Sequence, residues 1–279
     1  MIKYSVNHTQ TTVRQWKFPD GCVGVDIQVG SQAKDFTNDL VKITCIFGSE
    51  GFTINDDIIA LAMVVDAVKR QYPVAKLELE LPYIPYSRQD RAVNAGEPNS
   101  LKVIGKMINA MGFSSVFVLD AHSIVADACI DNMVEVTQLD IFRNIYPSFR
   151  QVYVVAPDAG ASKKCETFAK AVGAAGVITC AKERDPHTGK IVGLKLLDSV
   201  PEGANILVLD DLCDGGRTFI EVSQLLEATG NVSNLDLAVT HGLFSKGVDV
   251  VAKNYDTIYT TDSIISDKNN GIVRIISVY

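Results

Sequence analysis

The stretch Ile206–Val222, ILVLDDLCDGGRTFIEV, runs an aliphatic segment into two carboxylates, crosses an Asp-Gly-Gly turn and resumes with helical spacing. Ligands of open α/β sheets collect beyond the carboxyl ends of the strands, so paired acids in that position invite a chemical reading. Successive backbone N–H groups of a glycine-rich turn at a helix start form an anion cradle, to which the Thr218 hydroxyl adds a donor. Asp210 and Asp211 would repel a bare phosphate, yet they suit the vicinal hydroxyls of a sugar that carries one. Asp214, Gly215, Gly216, Arg217 and Thr218 are therefore candidates to seat the phosphate of a ribose 5-phosphate unit, with the two acids beside its hydroxyls. An acidic strand end followed by a routine Asp-Gly turn and helix cap explains the glycines but not the pair of acids. The nucleotide-binding pattern GxxxxGK[ST] occurs nowhere in the chain.

Three other loops carry unusual chemistry. YSRQDR, residues 86–91, sets two guanidiniums around an amide and an acid, a combination able to grip a polyphosphate and to hydrogen-bond a base or ribose. Pro82, Pro85 and Pro98 stiffen it, whereas a solvated charged turn would need no such bracing. His122, in VFVLDAHS, is a ligand candidate or simply a satisfied histidine at a strand end. CAKERDPHTGK, residues 180–190, is either a surface excursion or a lid.

The elements that must position these loops alternate strand and helix along most of the chain, the pattern of a mainly parallel sheet flanked by helices. Strands are expected at Val41–Phe47, Lys76–Leu81 and Val116–Asp120, with helices capped at Asn55 and running through Ser100–Met111. The apolar residues of the first helix cover most of its circumference, which predicts deep burial. The second half repeats the scheme with strands at Val152–Ala156, Val177–Cys180, Ile206–Asp210 and Leu235–Thr240, and helices at Ser162–Val172 and Thr218–Ala228. A polar loop is expected over residues 181–193. Two α/β domains follow, residues 1–138 and 139–279, with the seam near TQLDIF or NIYPSF.

A net charge of −7 argues against a nucleic-acid or membrane surface as the main partner, and leaves small anions open as ligands of local cationic pockets. The six cysteines, at 22, 45, 129, 165, 180 and 213, show no CxxC spacing and mostly sit in apolar runs, so buried thiols are expected rather than a zinc site. The start of the chain has no apolar signal core and no run is long enough to span a membrane, which predicts a cytoplasmic protein.

Residues 205–219, NILVLDDLCDGGRTF, resemble the ribose-phosphate loop of the type I phosphoribosyltransferase fold. LPYIPYSRQDRAVNAGEPNSLK (81–102) and VFVLDAHS (116–123) resemble the ATP-binding and metal-binding segments of the ribose-phosphate pyrophosphokinase family. FPDG (18–21), VVAPDAG (154–160) and THGLFS (240–245) are similar to that family in the same order. The resemblance implies two phosphoribosyltransferase-like domains and the reaction of ATP with ribose 5-phosphate to give AMP and 5-phosphoribosyl 1-pyrophosphate. A nucleobase phosphoribosyltransferase would need the sugar-phosphate loop but not YSRQDR and LDAHS, and a non-catalytic relative would keep the fold alone.

Residue by residue, the resemblance implies that Arg88, Gln89 and Asp90 contact ATP, with Phe18, Asp20 and Gly21 reaching the adenine from a neighbouring subunit. It implies magnesium as cofactor, with His122 as one ligand and Asp158 contacting a second ion, and Lys182 and Arg184 as catalytic cations. The sequence departs from the family at Cys22, usually Glu, at Ala121, usually Leu, and at Glu183, which interrupts a Lys-Arg-Arg run. Gly215 and Arg217 stand where Thr and Gly are usual, and Arg217 either adds a cation to the phosphate seat or reaches solvent. The segment before FPDG is shorter than the family's, and a terminal helix is not evident after GIVRIISVY. A homo-oligomer of at least two subunits is therefore expected, because the implied ATP site is shared, without commitment to a hexamer.

Overall fold

Residues 1–28, 39–184, 191–264 and 270–278 are described by a computed structural model, excluding the side chains at 183, 184, 191 and 192. The chain divides into two compact units, Met1–Val136 and Thr137–Tyr279. The first contains β1 (Ile2–Val6), β2 (Thr9–Thr12), β3 (Arg14–Lys17), β4 (Val23–Asp26), β5 (Leu40–Cys45), α1 (Ile54–Gln71), β6 (Lys76–Glu80), α2 (Ser100–Ala110), β7 (Ser115–Leu119) and β8 (Met133–Val136). The second contains α3 (Gln138–Phe142), β9 (Val152–Ala156), α4 (Ser162–Val172), β10 (Gly176–Arg184), β11 (Ile191–Leu196), β12 (Ala204–Cys213), α5 (Arg217–Glu227), β13 (Val232–Gly242), α6 (Asp249–Ala252), β14 (Thr257–Thr261) and β15 (Val273–Ile276).

Among the described residues, the sheet of the first unit has the order β2-β1-β5-β6-β7-β8. It is parallel from β5 to β8, with β1 and β2 added antiparallel at one edge. The four strands before residue 28 alternate too weakly, or are too polar, to be read from sequence: TQTT and RQWK form strands because partners in register complete their ladders. Helix α1 is capped at Thr53 rather than Asn55. The Thr53 hydroxyl accepts from the Asp56 N–H while the Asp56 carboxylate accepts from the Thr53 N–H, a reciprocal box that satisfies two end groups. Asn55 instead pairs with the Tyr86 hydroxyl. The expectation of deep burial holds for one face only: Ile58, Leu61, Val64, Val65 and Val68 are buried, whereas Ile59 and Met63 face outward.

The second sheet has the order β11-β10-β9-β12-β13-β14-β15, parallel except for the β10–β11 hairpin edge. Its central strand β12 is buried at nearly every position, as a parallel strand covered on both faces must be. Val155, Val208, Val222, Leu226, Leu237 and Ile258 are fully buried in the core that unites this sheet with α5. Much of the region read as a polar loop is strand: β10 continues to Arg184 and pairs antiparallel with β11, Lys182 lying opposite Leu194. AKER extends past the part of β10 that pairs with β9 and is held by the ladder to β11 alone, a partnership that its charged composition does not reveal.

The chain passes from β9 to β10 on one side, then returns to place β12 on the other side of β9. The carboxyl ends of β9 and β12 therefore flank a point where strand order reverses, the place where open α/β sheets form a crevice for ligands.

Candidate functional site

At that reversal the second unit gathers its chemically active side chains. Asp158 follows β9, and its Oδ1 accepts the N–H groups of Gly160 at 2.8 Å and Ala161 at 3.3 Å, which fixes the turn into α4. Its Oδ2 meets the Lys182 ammonium, projected from β10, at 3.2 Å. Lys164, on α4, approaches the Asp211 carboxylate at 3.7 Å. Asp210 folds back so that its Oδ1 accepts the Asp211 N–H at 2.9 Å. The two acids read as a pair are thus distinct: Asp210 is half-buried, whereas Asp211 is buried and bound to a cation.

Beyond them the chain turns through Asp214, Gly215 and Gly216 into α5. Gly216 has φ +79, and a Cβ there would stand 2.3 Å from Val251 Cγ2, so only glycine fits. Neither α4 nor α5 has a side-chain cap, in contrast to α1 and α2. Gly216, the residue that opens α5, thus offers no side chain as a cap, and the helix start lies where a ligand anion could serve instead. Arg217 does not face this turn. Its Nε donates to Glu221 Oε1 at 2.6 Å, one turn further along α5, and its side chain is 87% exposed. Thr218 is half-buried in the same first turn.

The loop after β13 holds the glycine turn from the other side. Leu243 and Phe244 N–H groups donate to the Cys213 carbonyl at 2.9 and 3.1 Å, and the Ser245 N–H donates to the Asp214 carbonyl at 3.1 Å. The Ser245 hydroxyl donates to Asp214 Oδ1 at 2.6 Å. Phe244 has φ 47, a strained value for an aromatic residue that this clasp sustains. Burial, with Asp210 and Asp214 nearby, pushes the Cys213 thiol up to about 12, so it stays protonated and is no nucleophile at neutral pH.

In the first unit, the loops after β6 and β7 are tied together: the buried Ser123 hydroxyl donates to Asp90 Oδ2 at 2.7 Å. The Asp90 carbonyl accepts Asn99 Nδ2 at 2.7 Å, and the Gln89 side chain accepts from the Ser100 hydroxyl. Gln89 and Asp90 therefore shape their loop as well as being available for ligand contact, while Arg88 projects outward. Tyr86 and Asp120, at the edges of these loops, have φ 62 and 36. Non-glycine residues in this region store strain and cluster at working sites. His122 is exposed on the loop after β7. Asp20 and Gly21 form a tight turn in which the Asp20 carboxylate accepts the Cys22 N–H at 3.0 Å, and Phe18, 48% exposed, stacks edge-on against Trp16.

Asp158, Lys182, Asp210, Asp211 and the 214–218 turn are thus brought to one end of one sheet, and Arg88, Gln89 and Asp90 to loops bound to the His122 segment. The backbone of Arg184 ends β10, while its side chain and residues 185–190 lie outside the described residues. Lys164, Ser123 and Ser245 were not singled out from sequence. Two of them stand in quoted segments, but nothing in a linear pattern shows a serine hydroxyl aimed at a particular acid. Among the described residues no group of three or more His, Cys, Asp or Glu is disposed to hold a metal ion, and no helix is long and apolar enough to cross a membrane.

Comparison with known proteins bears on the family and the fold. Residues 1–112 match the family model for the N-terminal domain of ribose phosphate pyrophosphokinase. The chain is 27% identical over 243 residues to a ribose-phosphate pyrophosphokinase of Hyphomonas neptunium, covering 82% of this chain and 76% of the relative. It is 29% identical over 218 residues to one from Cereibacter sphaeroides, covering 75% and 63%. The fold is similar to a phosphoribosylpyrophosphate synthetase from Mycobacterium smegmatis, with a TM-score of 0.75, 19% identity, and coverage of 96% of this chain and 86% of the other.

Proposed function

We propose that this chain, which belongs to the ribose-phosphate pyrophosphokinase family, transfers the β,γ-diphosphoryl group of ATP to the C1 hydroxyl of ribose 5-phosphate. The products are 5-phosphoribosyl 1-pyrophosphate and AMP. The observation that carries the reading is the convergence of Asp158, Lys182, Asp210 and Asp211 with an uncapped glycine turn at the strand-order reversal of the second unit.

In this reading the N–H groups from Asp214 to Thr218 hold the 5-phosphate, and Asp210 and Asp211 accept hydrogen bonds from the ribose hydroxyls. Arg88, Gln89 and Asp90 bind ATP, and Phe18, Asp20 and Gly21 of a neighbouring subunit complete the adenine pocket, which makes the protein a homo-oligomer. The anomeric hydroxyl oxygen attacks the β-phosphorus and its proton passes to solvent, the bond from that phosphorus to the α,β-bridging oxygen breaks, and AMP leaves with the electron pair. Lys182 releases Asp158 and moves onto the transferring group, joined by Arg184, to offset charge on the β-phosphoryl and bridging oxygens. The exchange is cheap, because the Lys182–Asp158 pair is 45% and 32% exposed and an ion pair so solvated contributes at most about 1 kcal/mol.

Magnesium keeps most of its water and takes one or two protein groups with substrate phosphates, so it needs no preformed cluster of three ligands, and none is found among the described residues. His122 would hold one ion and Asp158 would contact a second, and magnesium when bound would neutralise phosphate charge. Formation of AMP from ATP and ribose 5-phosphate, lost on chelation of magnesium, tests the reading; ATP-independent turnover of 5-phosphoribosyl 1-pyrophosphate with a nucleobase would replace it.

A further inference from the structure

We propose that Lys246 supplies the cation of the sugar-phosphate turn, the role for which sequence offered Arg217. The inference deepens the reading above and rests on its assignment of the 214–218 turn to the 5-phosphate. A phosphate seated there stands beside Asp210 and Asp214, with Asp211 already facing Lys164, and carboxylates so close disfavour a dianion unless a further cation compensates. Arg217 is not that cation. Its guanidinium is engaged by Glu221, which lies towards the carboxyl end of α5 and so draws the side chain away from the helix start.

Lys246 has the placement that Arg217 lacks. It directly follows Ser245, whose N–H and hydroxyl both bind Asp214, so its backbone is fixed to the turn at two points. Its stem lies over Gly215: a Cβ on that glycine would meet Cε at 3.4 Å, Cδ at 3.5 Å and Cγ at 3.7 Å. The lysine stem thus packs beside Gly215, at distances of ordinary van der Waals contact from the position a Cβ would take. The ammonium is one bond beyond Cε, on an exposed residue at the rim of the turn, and among the described residues no ion pair engages it. Gly247, with φ +86, lets the chain turn away immediately afterwards.

The test is a steady-state and calorimetric comparison of wild type, Lys246→Ala, Lys246→Arg and the charge-loss control Lys253→Ala. Lys246→Ala should raise the KM for ribose 5-phosphate about tenfold, as expected for loss of one charge-assisted contact to phosphate. Its KM for ATP and its kcat should change by less than about threefold, since in this reading the 5-phosphate takes no part in the transfer. Lys246→Arg should recover most of the loss, Lys253→Ala should resemble wild type, and weakening by salt should be shallower in Lys246→Ala. Wild-type KM for ribose 5-phosphate in a folded Lys246→Ala, or a loss confined to kcat, overturns the proposal and leaves the functional reading intact. If wild type binds ribose 5-phosphate without forming AMP, the functional reading fails, and the Kd ratio of Lys246→Ala to wild type still decides the role of Lys246. Absence of ribose 5-phosphate binding by wild type overturns both.

Discussion

Lys182 and Asp158 meet at 3.2 Å across the neighbouring parallel strands β10 and β9. The pair is open to solvent, so it parks the lysine near the strand-order reversal without committing it. Lys182→Ala should therefore lower kcat by at least about a hundredfold, the scale of one lost transition-state cation, while the KM for ATP changes by less than about threefold. The melting temperature should barely move. Equal losses in kcat and ATP affinity would show that the lysine binds the ground state instead.

Ser245 and Asp214 join the loop after β13 to the glycine turn by a hydroxyl-to-carboxylate bond of 2.6 Å. Ser245→Ala removes that bond and leaves the backbone clasp, at a cost of about 0.5–1.5 kcal/mol. The expected result is a two- to tenfold rise in the KM for ribose 5-phosphate, about the same energy expressed as binding. Unchanged KM in this variant would mean that the backbone bonds alone place the turn.

Gly216 combines φ +79 with a 2.3 Å approach of its missing Cβ to Val251. Gly216→Ala should destabilise the second unit by about 2–6 kcal/mol, the sum of left-handed strain and overpacking. Adding Val251→Ala should relieve only the packing part. Urea unfolding of both variants separates the two contributions, and full restoration by the second change would show that backbone strain contributes nothing.

Asp56 is pulled down to about 2 by the Lys17 ammonium, at 2.8 Å, and by the Thr53 cap. A carboxyl depressed in the folded state stabilises it above the unfolded value, near about 4, and loses that contribution as pH falls through about 2. Asp56→Asn should therefore melt lower than wild type at pH 6, with the difference shrinking between pH 4 and pH 2. A difference independent of pH would show that the effect does not depend on the Asp56 charge.

The sequence made the second unit legible because its strands are continuous aliphatic runs and its helices amphipathic: β9 and α4 fall at the expected residues, and β12 and α5 differ only at their ends. What it could not carry is partnership. RQWK is a strand because VGVD lies beside it, and AKER is a strand because the β11 segment pairs with it. The same limit applies to the site. Composition pointed to Asp210 and Asp211, but only the arrangement of β9, α4 and β12 shows Asp211 meeting Lys164. Spacing placed Arg217 at the turn, and it took three dimensions to show its guanidinium bound to Glu221.

The most direct test of the central claim is AMP formation by purified protein given ATP and ribose 5-phosphate, with magnesium and with excess chelator. The account predicts AMP and 5-phosphoribosyl 1-pyrophosphate in equal amounts with magnesium, and neither with chelator. ADP as the nucleotide product, or no product from a folded protein that binds both substrates, would contradict it.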